Sequence, residues 1–159
     1  GAHVAQDGNH VRVWSGPVQT LTGTSIVASP HPGFPTDLQQ PFTSLLTLVH
    51  GTNTIHDSVY EGRFGHIPYL TKMGANIKVE GSVTIVSGVS TLSGADVKAT
   101  DLRAGAALVV AGLAANGQTR IFDVHHIERG YQELCQRLRQ LGARCWHVNV
   151  SDTDMLVME

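Results

Sequence analysis

Apolar residues recur at helical spacing in two stretches of the chain, from Phe64 to Met73 and from Tyr131 to Leu141. Each stretch ends at a Gly-Ala pair, and glycine is common just past the end of a helix. An alternating pattern of apolar and polar residues then follows, over residues 76–80 and 144–150. Because the side chains of a strand point alternately to its two faces, this pattern predicts that each helix leads into a strand.

The chain begins with the same Gly-Ala pair and alternating segment, but no helix precedes them. Gly1-Ala2 is followed by an alternating segment, and Asp7-Gly8 is a dipeptide that favours a tight hairpin turn. Residues 1–14 are therefore predicted to be the closing hairpin of a repeat whose first part is missing. We expect the chain to be the C-terminal part of a longer protein.

A longer repeat connects these elements. Thr36-Asp37-Leu38 recurs as Thr100-Asp101-Leu102 at an offset of 64 residues, and Arg63 recurs as Arg129 at an offset of 66. Each copy is predicted to run strand, helix, strand, helix, strand, strand. We expect the two copies to superpose, with Asp37 on Asp101 and Arg63 on Arg129.

The repeat also predicts how the chain is divided. The strand after the first helix is expected over 54–59 in the first copy and 119–124 in the second. The predicted divisions are a closing hairpin (1–14), a complete unit (26–89), a second unit (95–150) and a tail (151–159).

The first helix of each unit is predicted to begin at its Thr-Asp pair. Thr36 and Thr100 are suitable N-cap residues, and Asp37 and Asp101 then place a carboxylate in the first turn. In the second unit this helix is apolar on almost every side, which is typical of a buried helix. We therefore expect one helix of each unit in the core and the other nearer the surface, which makes the fold class α/β.

Composition and charge exclude several classes of protein. The 159 residues carry 11 basic and 13 acidic side chains, so there is no basic excess to bind nucleic acid, and no apolar run is long enough for a membrane span. Cys135 and Cys145 are predicted to lie in the core, on a helix and in a strand, and free thiols suit the cytoplasm. His125 and His126 are predicted to lie on opposite faces of a strand, and no metal site is expected.

Residues 30–39, PHPGFPTDLQ, resemble the signature of the UDP-N-acetylglucosamine 1-carboxyvinyltransferases, an enolpyruvyl transferase family. The related 5-enolpyruvylshikimate-3-phosphate synthases share the repeated unit but not this proline-rich string. Four further segments resemble the same family in the same order, and together they cover nearly the whole chain: 60–64 (YEGRF), 92–95 (LSGA), 99–104 (ATDLRA) and 126–131 (HIERGY).

The resemblance implies a fold and a reaction. The family has two lobes, each built from three βαβαββ units with helices inside and sheets outside, and this chain would form most of the C-terminal lobe. The reaction moves the enolpyruvyl group of phosphoenolpyruvate to the 3-hydroxyl of UDP-N-acetylglucosamine and releases phosphate. It takes place in the cytoplasm, needs no metal or organic cofactor, and feeds peptidoglycan synthesis, on which cell-wall biogenesis, cell shape and cell division depend.

The resemblance also implies roles for individual residues. Asp37 corresponds to the carboxylate that takes the proton from the sugar hydroxyl, a task that needs a base within hydrogen-bond reach. Asp101 corresponds to a second family carboxylate. Whether its role is helix capping, catalysis or both is left open. The remaining correspondences concern substrate binding: Arg63, Arg103 and Arg129 as family arginines, of which the last two contact phosphoenolpyruvate, and Val59 as a backbone contact to the nucleotide sugar.

Two further interpretations remain open at this stage. The family lysine and the general acid belong to the other lobe, so we expect the chain alone to be inactive, and it could instead be a truncated, non-catalytic module. A relative of the shikimate-pathway enzyme is the other alternative. Because a hairpin without its own helices exposes Val4, Val11 and Val13, we also predict a homo-oligomer.

Overall fold

The computed structural model describes residues 1–17, 20–150 and 153–159, and their strands form a two-stranded hairpin, two four-stranded sheets and one short two-stranded pair. The hairpin consists of β1 (His3–Asp7) and β2 (His10–Trp14), antiparallel and in register from His3 opposite Trp14 to Asp7 opposite His10. Gly8 lies in the turn with a φ of +55°, which a residue without a side chain adopts at little cost. A hairpin therefore lies within residues 1–14, and its role as the closing part of an incomplete repeat stays a prediction.

The first sheet belongs to the part of the chain that contains Asp37. Its strands have the order β3-β4-β6-β5, with β3 parallel to β4 and the other pairs antiparallel. The elements are β3 (Ser25–Ala28), α1 (Thr36–Leu46), β4 (Thr52–Asp57), α2 (Ile67–Lys72), β5 (Asn76–Glu80) and β6 (Val83–Ser87).

The second sheet repeats this topology. Its order is β8-β10-β12-β11, again with the first two strands parallel and the others antiparallel. A short parallel pair, β7 with β9, lies beside it. The elements are β7 (Leu92–Ser93), β8 (Asp96–Lys98), α3 (Leu102–Ala114), β9 (Ala115–Asn116), β10 (Thr119–Phe122), α4 (His125–Glu128), α5 (Leu134–Gln140), β11 (Cys145–Val150) and β12 (Thr153–Met158).

The last residues of the chain form an inner strand of the second sheet. Residues 151–159 were assigned to a tail, but 153–158 form β12, which pairs with β10 on one side and β11 on the other. Leu156, Val157 and Met158 are almost fully buried. In the first sheet the same place is taken by β6, so the final strand of the predicted unit lies beyond residue 150.

The two predicted N-caps were each wrong by one residue. Thr36 is the first helical residue of α1, and Pro35 is the N-cap, with extended backbone and no side-chain hydrogen bond. In α3 the N-cap is Asp101 rather than Thr100. Cap identity depends on which residue has extended backbone next to the helix, and the repeated Thr-Asp-Leu string alone does not determine this.

The second helices are shorter than predicted, and one segment changes class. The stretch over 131–141 is helical only over 134–140, since Glu133 has left-handed backbone with a φ of 52°. The chain also leaves β10 after Phe122, because Asp123 has a φ of 58°, and His125 begins α4. The prediction that His125 and His126 lie on opposite faces of a strand was wrong, and their rings are 4.1 Å apart in α4.

Helices α1 and α3 pack against each other between the two sheets, and the Ser44 hydroxyl donates to the Ala107 carbonyl oxygen at 2.7 Å. Alternate residues of β4 and β6 face these helices and are buried, which gives the predicted α/β arrangement of inner helices and outer sheets. Among residues 1–17, 20–150 and 153–159, no helix has the length and apolar character needed to cross a membrane.

Candidate functional site

The Asp37 carboxylate is held by two arginines at the end of the helix pair. Arg103 donates from Nε and Nη2 at 2.8 and 2.9 Å, one bond to each carboxylate oxygen, and Arg63 donates from Nη1 at 2.8 Å. A guanidinium that makes two hydrogen bonds to one carboxylate fixes the orientation of the carboxylate and also favours its charged form. The cluster therefore joins a carboxylate and two cations from segments that are distant in sequence.

The repeat places these three side chains together. Asp37 and Arg103 are the second residues of α1 and α3, so the N-terminal ends of the two packed helices meet here. Arg63 comes from the loop between β4 and α2. The side chain of Asp37 is 55% exposed, against 17% for Arg63 and 32% for Arg103, so the cluster opens to solvent on its carboxylate side.

The arginines control the charge of the carboxylate. The hydrogen bond from Arg103 has the largest effect and holds the pKa of Asp37 below its usual value of 3.8; burial opposes it, and the hydrogen bond from Arg63 adds to the lowering. Asp37 in turn raises the pKa of Arg103. A carboxylate in this state accepts a proton poorly, and it would become a better base if an anion drew Arg103 away.

Behind the cluster lies a support that the sequence did not predict. The Thr36 hydroxyl donates to Asp57 Oδ2 at 2.6 Å, and Arg63 Nη1 donates to Thr36 Oγ1 at 3.2 Å. Asp57 Oδ1 accepts the backbone N–H groups of Val59 and Tyr60, each at 3.0 Å. A signal for Asp57 existed in the sequence, since it precedes Asp123 by the same 66 residues that separate the two repeated arginines.

Asp101 caps α3. Its Oδ1 accepts the backbone N–H of Arg103 at 2.8 Å and that of Ala104 at 3.1 Å, which satisfies two donors that a helix start leaves free. The two repeated aspartates thus meet at one end of the helix pair with different contacts. Asp37 pairs with guanidinium groups, whereas Asp101 pairs with backbone.

Arg129 lies beside this end of the molecule on an exposed segment that follows α4. A Cβ added to the neighbouring Gly130 would come within 2.8 Å of Leu102, so the segment packs directly on the first residue of α3. No ion pair or side-chain hydrogen bond joins Arg129 to any residue that the structure describes. Its guanidinium is therefore available to a ligand.

Val59 is also exposed, at 44%. Its backbone N–H donates to Asp57 Oδ1, and within the described part of the chain its carbonyl oxygen accepts no hydrogen bond. The structure thus brings Asp37, Arg63, Arg103 and Asp101 to one end of the helix pair and leaves Val59 and Arg129 exposed on flanking loops.

His66 is a buried residue near the site that the sequence pattern did not single out. It is fully buried, and neither ring nitrogen has a hydrogen-bond partner in the described ranges. Burial lowers its pKa to about 4, and the Asp101 charge opposes this only in part. Nearby, the buried Gln40 side chain donates to the Arg63 carbonyl oxygen at 3.2 Å, which fixes the backbone of that arginine.

Comparison with known proteins gives a consistent family. The family model described as EPSP synthase (3-phosphoshikimate 1-carboxyvinyltransferase) matches residues 1–138. A UDP-N-acetylglucosamine 1-carboxyvinyltransferase 2 from Shouchella clausii is 52% identical over 133 residues, which are 84% of this chain and 31% of that protein. A UDP-N-acetylglucosamine 1-carboxyvinyltransferase from Clostridium botulinum is 51% identical over 143 residues, covering 90% of this chain and 34% of its own length.

Solved structures show the same fold. The enolpyruvyl transferase NikO from Streptomyces tendae matches with a TM-score of 0.80 and 30% identity, over 99% of this chain and 34% of that one. An EPSP synthase from Acinetobacter baumannii matches with a TM-score of 0.68 and 15% identity, over 99% of this chain and 36% of that one. The chain spans about a third of the length of these relatives. The predicted fold class and family resemblance are confirmed.

Proposed function

Because the chain belongs to the EPSP synthase (3-phosphoshikimate 1-carboxyvinyltransferase) family, we propose that it is part of an enzyme that transfers enolpyruvyl from phosphoenolpyruvate to the 3-hydroxyl of UDP-N-acetylglucosamine. The observation that supports this most directly is the carboxylate of Asp37 held by Arg63 and Arg103 at the meeting point of two helix N-termini. This arrangement combines a base with cations suited to a dianionic substrate.

Substrate binding would change the partners of Arg103. Phosphoenolpyruvate carries a carboxylate and a phosphate, and both compete with Asp37 for the guanidinium of Arg103, while Arg129 is free to take a second anionic group. Once Arg103 turns to the substrate, the pKa of Asp37 rises toward its usual value. Asp37 is then able to accept the proton of the sugar hydroxyl as that oxygen attacks.

The remaining site residues would hold the nucleotide sugar. The free carbonyl oxygen of Val59 is a suitable acceptor for a sugar hydroxyl or amide. Arg63 keeps one bond to Asp37 and orients it, and Asp101 maintains the start of α3 from which Arg103 projects. Asp101 would reach the substrate only through its second carboxylate oxygen, since Oδ1 is used in capping.

Two alternatives are less well supported. A shikimate-pathway enzyme is disfavoured because identity to the compared EPSP synthase is 15%, against 52% and 51% to carboxyvinyltransferases that carry UDP-N-acetylglucosamine in their names. A non-catalytic module would not require a carboxylate that is held by two arginines and lies near a third arginine, Arg129, that is available to a ligand. The proposed product is a peptidoglycan precursor made in the cytoplasm, and the rest of the active site would come from the N-terminal lobe that the family possesses.

The test uses the full-length protein that carries this chain. Asp37→Asn keeps the shape of the side chain and removes the base, so we expect phosphate release to slow by about 100- to 10,000-fold. Asp96→Asn is a matched control, because Asp96 also accepts two bonds from an arginine, Arg120, but on the outer sheet. Full activity of Asp37→Asn, or an equal loss in Asp96→Asn, would contradict the proposal. Residues 1–159 alone should release no phosphate.

The hairpin supports a second, separate proposal. Val4, Val11 and Val13 are 67%, 62% and 63% exposed, a set of apolar side chains that a monomeric protein rarely leaves uncovered. We propose that residues 1–159 on their own form a homo-oligomer through this hairpin. Sedimentation equilibrium at micromolar concentration tests this, and a monomer of 17.0 kDa would contradict it.

A further inference from the structure

Two cysteine sulfurs lie side by side in a part of the molecule that the proposed reaction does not use. Cys135 is in the first turn of α5 and Cys145 is the first residue of β11, and their Sγ atoms are 3.5 Å apart. The Cys145 thiol also lies 3.5 Å from the Cys135 carbonyl oxygen, to which it donates. Both cysteines are free.

We propose that Cys135 and Cys145 form a thiol pair that a peroxide oxidises to a reversible intrachain disulfide between α5 and β11. The proposal does not depend on the proposed enzyme activity. It assigns a redox modification site to the last repeat, in a position that neither the carboxylate cluster nor its substrates would occupy.

The geometry requires only a small movement. A disulfide bond is about 2.05 Å long, so the two sulfurs must approach each other by about 1.5 Å. The two residues are ten positions apart in sequence, and helix α5 packs directly on β11. A pair held this close reacts within the chain faster than with another molecule, because its effective concentration is high.

The surroundings give the two thiols different roles. Cys135 lines a cavity of about 590 Å³ that also borders Glu133 and Gln136, both exposed, so a small oxidant can reach it. Cys145 is only 2% exposed. Burial and the adjacent Cys135 thiol raise the pKa of Cys145 to about 11, so it remains protonated at neutral pH. Cys135 therefore reacts first and Cys145 resolves.

The chemistry balances with hydrogen peroxide as the oxidant. The Cys135 sulfur attacks the peroxide, the O–O bond breaks, and a sulfenic acid and one water form. The Cys145 sulfur then attacks the Cys135 sulfur, forms the S–S bond, and releases the hydroxyl group as a second water with the Cys145 proton. Two thiols lose two electrons, and one peroxide is reduced to two waters.

Peptide mapping of the full-length protein tests the proposal. Trypsin cleaves after Arg129, Arg137 and Arg144, so the two cysteines fall in different peptides, 130–137 and the one that begins at Cys145. After brief treatment with hydrogen peroxide under native conditions, these two peptides should appear as one cross-linked species, about 2 Da lighter than their sum. Dithiothreitol should separate them again.

Two variants test the order of the steps. In Cys145→Ser, Cys135 should be trapped as a sulfenic acid by dimedone, and in Cys135→Ser, Cys145 should resist the same peroxide at least about tenfold longer. The proposal is overturned if oxidised wild-type protein contains only sulfinic acid at Cys135, or if Cys135 is cross-linked between two chains. Equal peroxide sensitivity of Cys145 in wild type and in Cys135→Ser would overturn the assigned order. The wild-type mapping alone decides whether the bond forms, even if a variant folds poorly.

Discussion

The two repeats share one sheet topology and use the same Thr-Asp-Leu string differently. In the second repeat, Asp101 stands outside α3 in extended backbone and its carboxylate caps the helix. In the first repeat, Asp37 is already inside α1, so its carboxylate is directed to Arg63 and Arg103. Helix α1 thus begins two residues earlier in its repeat than α3 does, and this shift converts a structural carboxylate into one that is available for chemistry.

The residue before the string explains the shift. Pro35 lacks an N–H and favours extended backbone at the position before it, and it takes the N-cap position of α1 with a φ of −66° and a ψ of 131°. Its carbonyl oxygen accepts the N–H of Leu38 at 3.0 Å, which starts the helix without a side-chain cap. The second repeat has Ala99 before its Thr, and the helix there depends on Asp101.

The interiors of the repeats differ as well. The buried face of α1 carries four polar side chains, whereas α3 buries alanine, glycine, leucine and valine. At the 66-residue offset, buried His66 of the first repeat corresponds to exposed Gln132 of the second. The first repeat thus holds unpaired polar groups next to the site, and the second repeat supplies the apolar support.

The largest expected effect concerns His66. Its pKa is about 4 in the folded protein and about 6.5 when unfolded, so below pH 6.5 only the unfolded chain gains the proton. Stability is fully present above pH 6.5 and falls by about 3 kcal/mol as the pH drops to 4, at about 1.4 kcal/mol per pH unit. Urea denaturation from pH 7 to 4 should show this slope in wild type and lose it in His66→Gln.

A matched control keeps His66 and adds a histidine at the corresponding position of the second repeat. In Gln132→His the new imidazole is exposed, so its pKa should lie near 6.5 and the slope of stability with pH should equal that of wild type. An unchanged slope in His66→Gln would mean that His66 is protonated in the folded protein.

The next effect concerns glycines of α3. A Cβ at Gly105 would lie 2.4 Å from Ile127 Cγ1, so Gly105→Ala should destabilise the protein by about 1–3 kcal/mol through overpacking against α4. Gly112→Ala is the matched control, since its Cβ would come close only to the sulfur of the flexible Met158 side chain, at 2.9 Å, and would touch Thr119 at an ordinary contact distance of 3.4 Å. Alanine also favours the helix. Thermal unfolding compares the two, and equal stability would show that α4 moves freely away from α3.

The sequence predicted the parts of this molecule that depend on local pattern. The repeat, the hairpin and the helices that begin near Thr36 and Thr100 follow from periodicity and turn residues. Strand β12 was missed because residues 155–158 form an unbroken apolar run rather than an alternating one, and a strand between two neighbours can be buried on both faces. Its place between β10 and β11 is decided by tertiary packing.

The site was only partly predictable for a similar reason. Asp37 and the arginines were found through their spacing and the family resemblance, but their mutual ion pairs depend on how α1 packs on α3. The Thr36–Asp57 bond joins a helix start to a strand end 21 residues later, which spacing does not reveal. Burial of His66 likewise depends on tertiary packing, because the adjacent Gly65 lies against Thr100 of the second repeat and the charge of Asp101 acts on the imidazole.

The smallest effect separates the two aspartates by stability. Asp101→Ala removes a cap that satisfies two backbone N–H groups, so we expect a loss of about 1 kcal/mol at pH 7. Asp37→Ala removes the ion pairs with Arg63 and Arg103, but from a carboxylate that is 55% exposed, so the loss should stay below about 1 kcal/mol. Because its pKa is lowered in the folded state, the contribution of Asp37 to stability is present above pH 3.8 and disappears as the pH falls below that value.

Salt separates the two aspartates further, because short-range capping bonds are screened less than exposed ion pairs. In urea denaturation at pH 7, raising the salt concentration from about 0.15 M to about 1 M should reduce the loss of stability in Asp37→Ala and leave the loss in Asp101→Ala unchanged. Equal salt sensitivity in the two variants would mean that both aspartates act mainly as surface charges, and the contrast between the repeats would then lie only in their geometry.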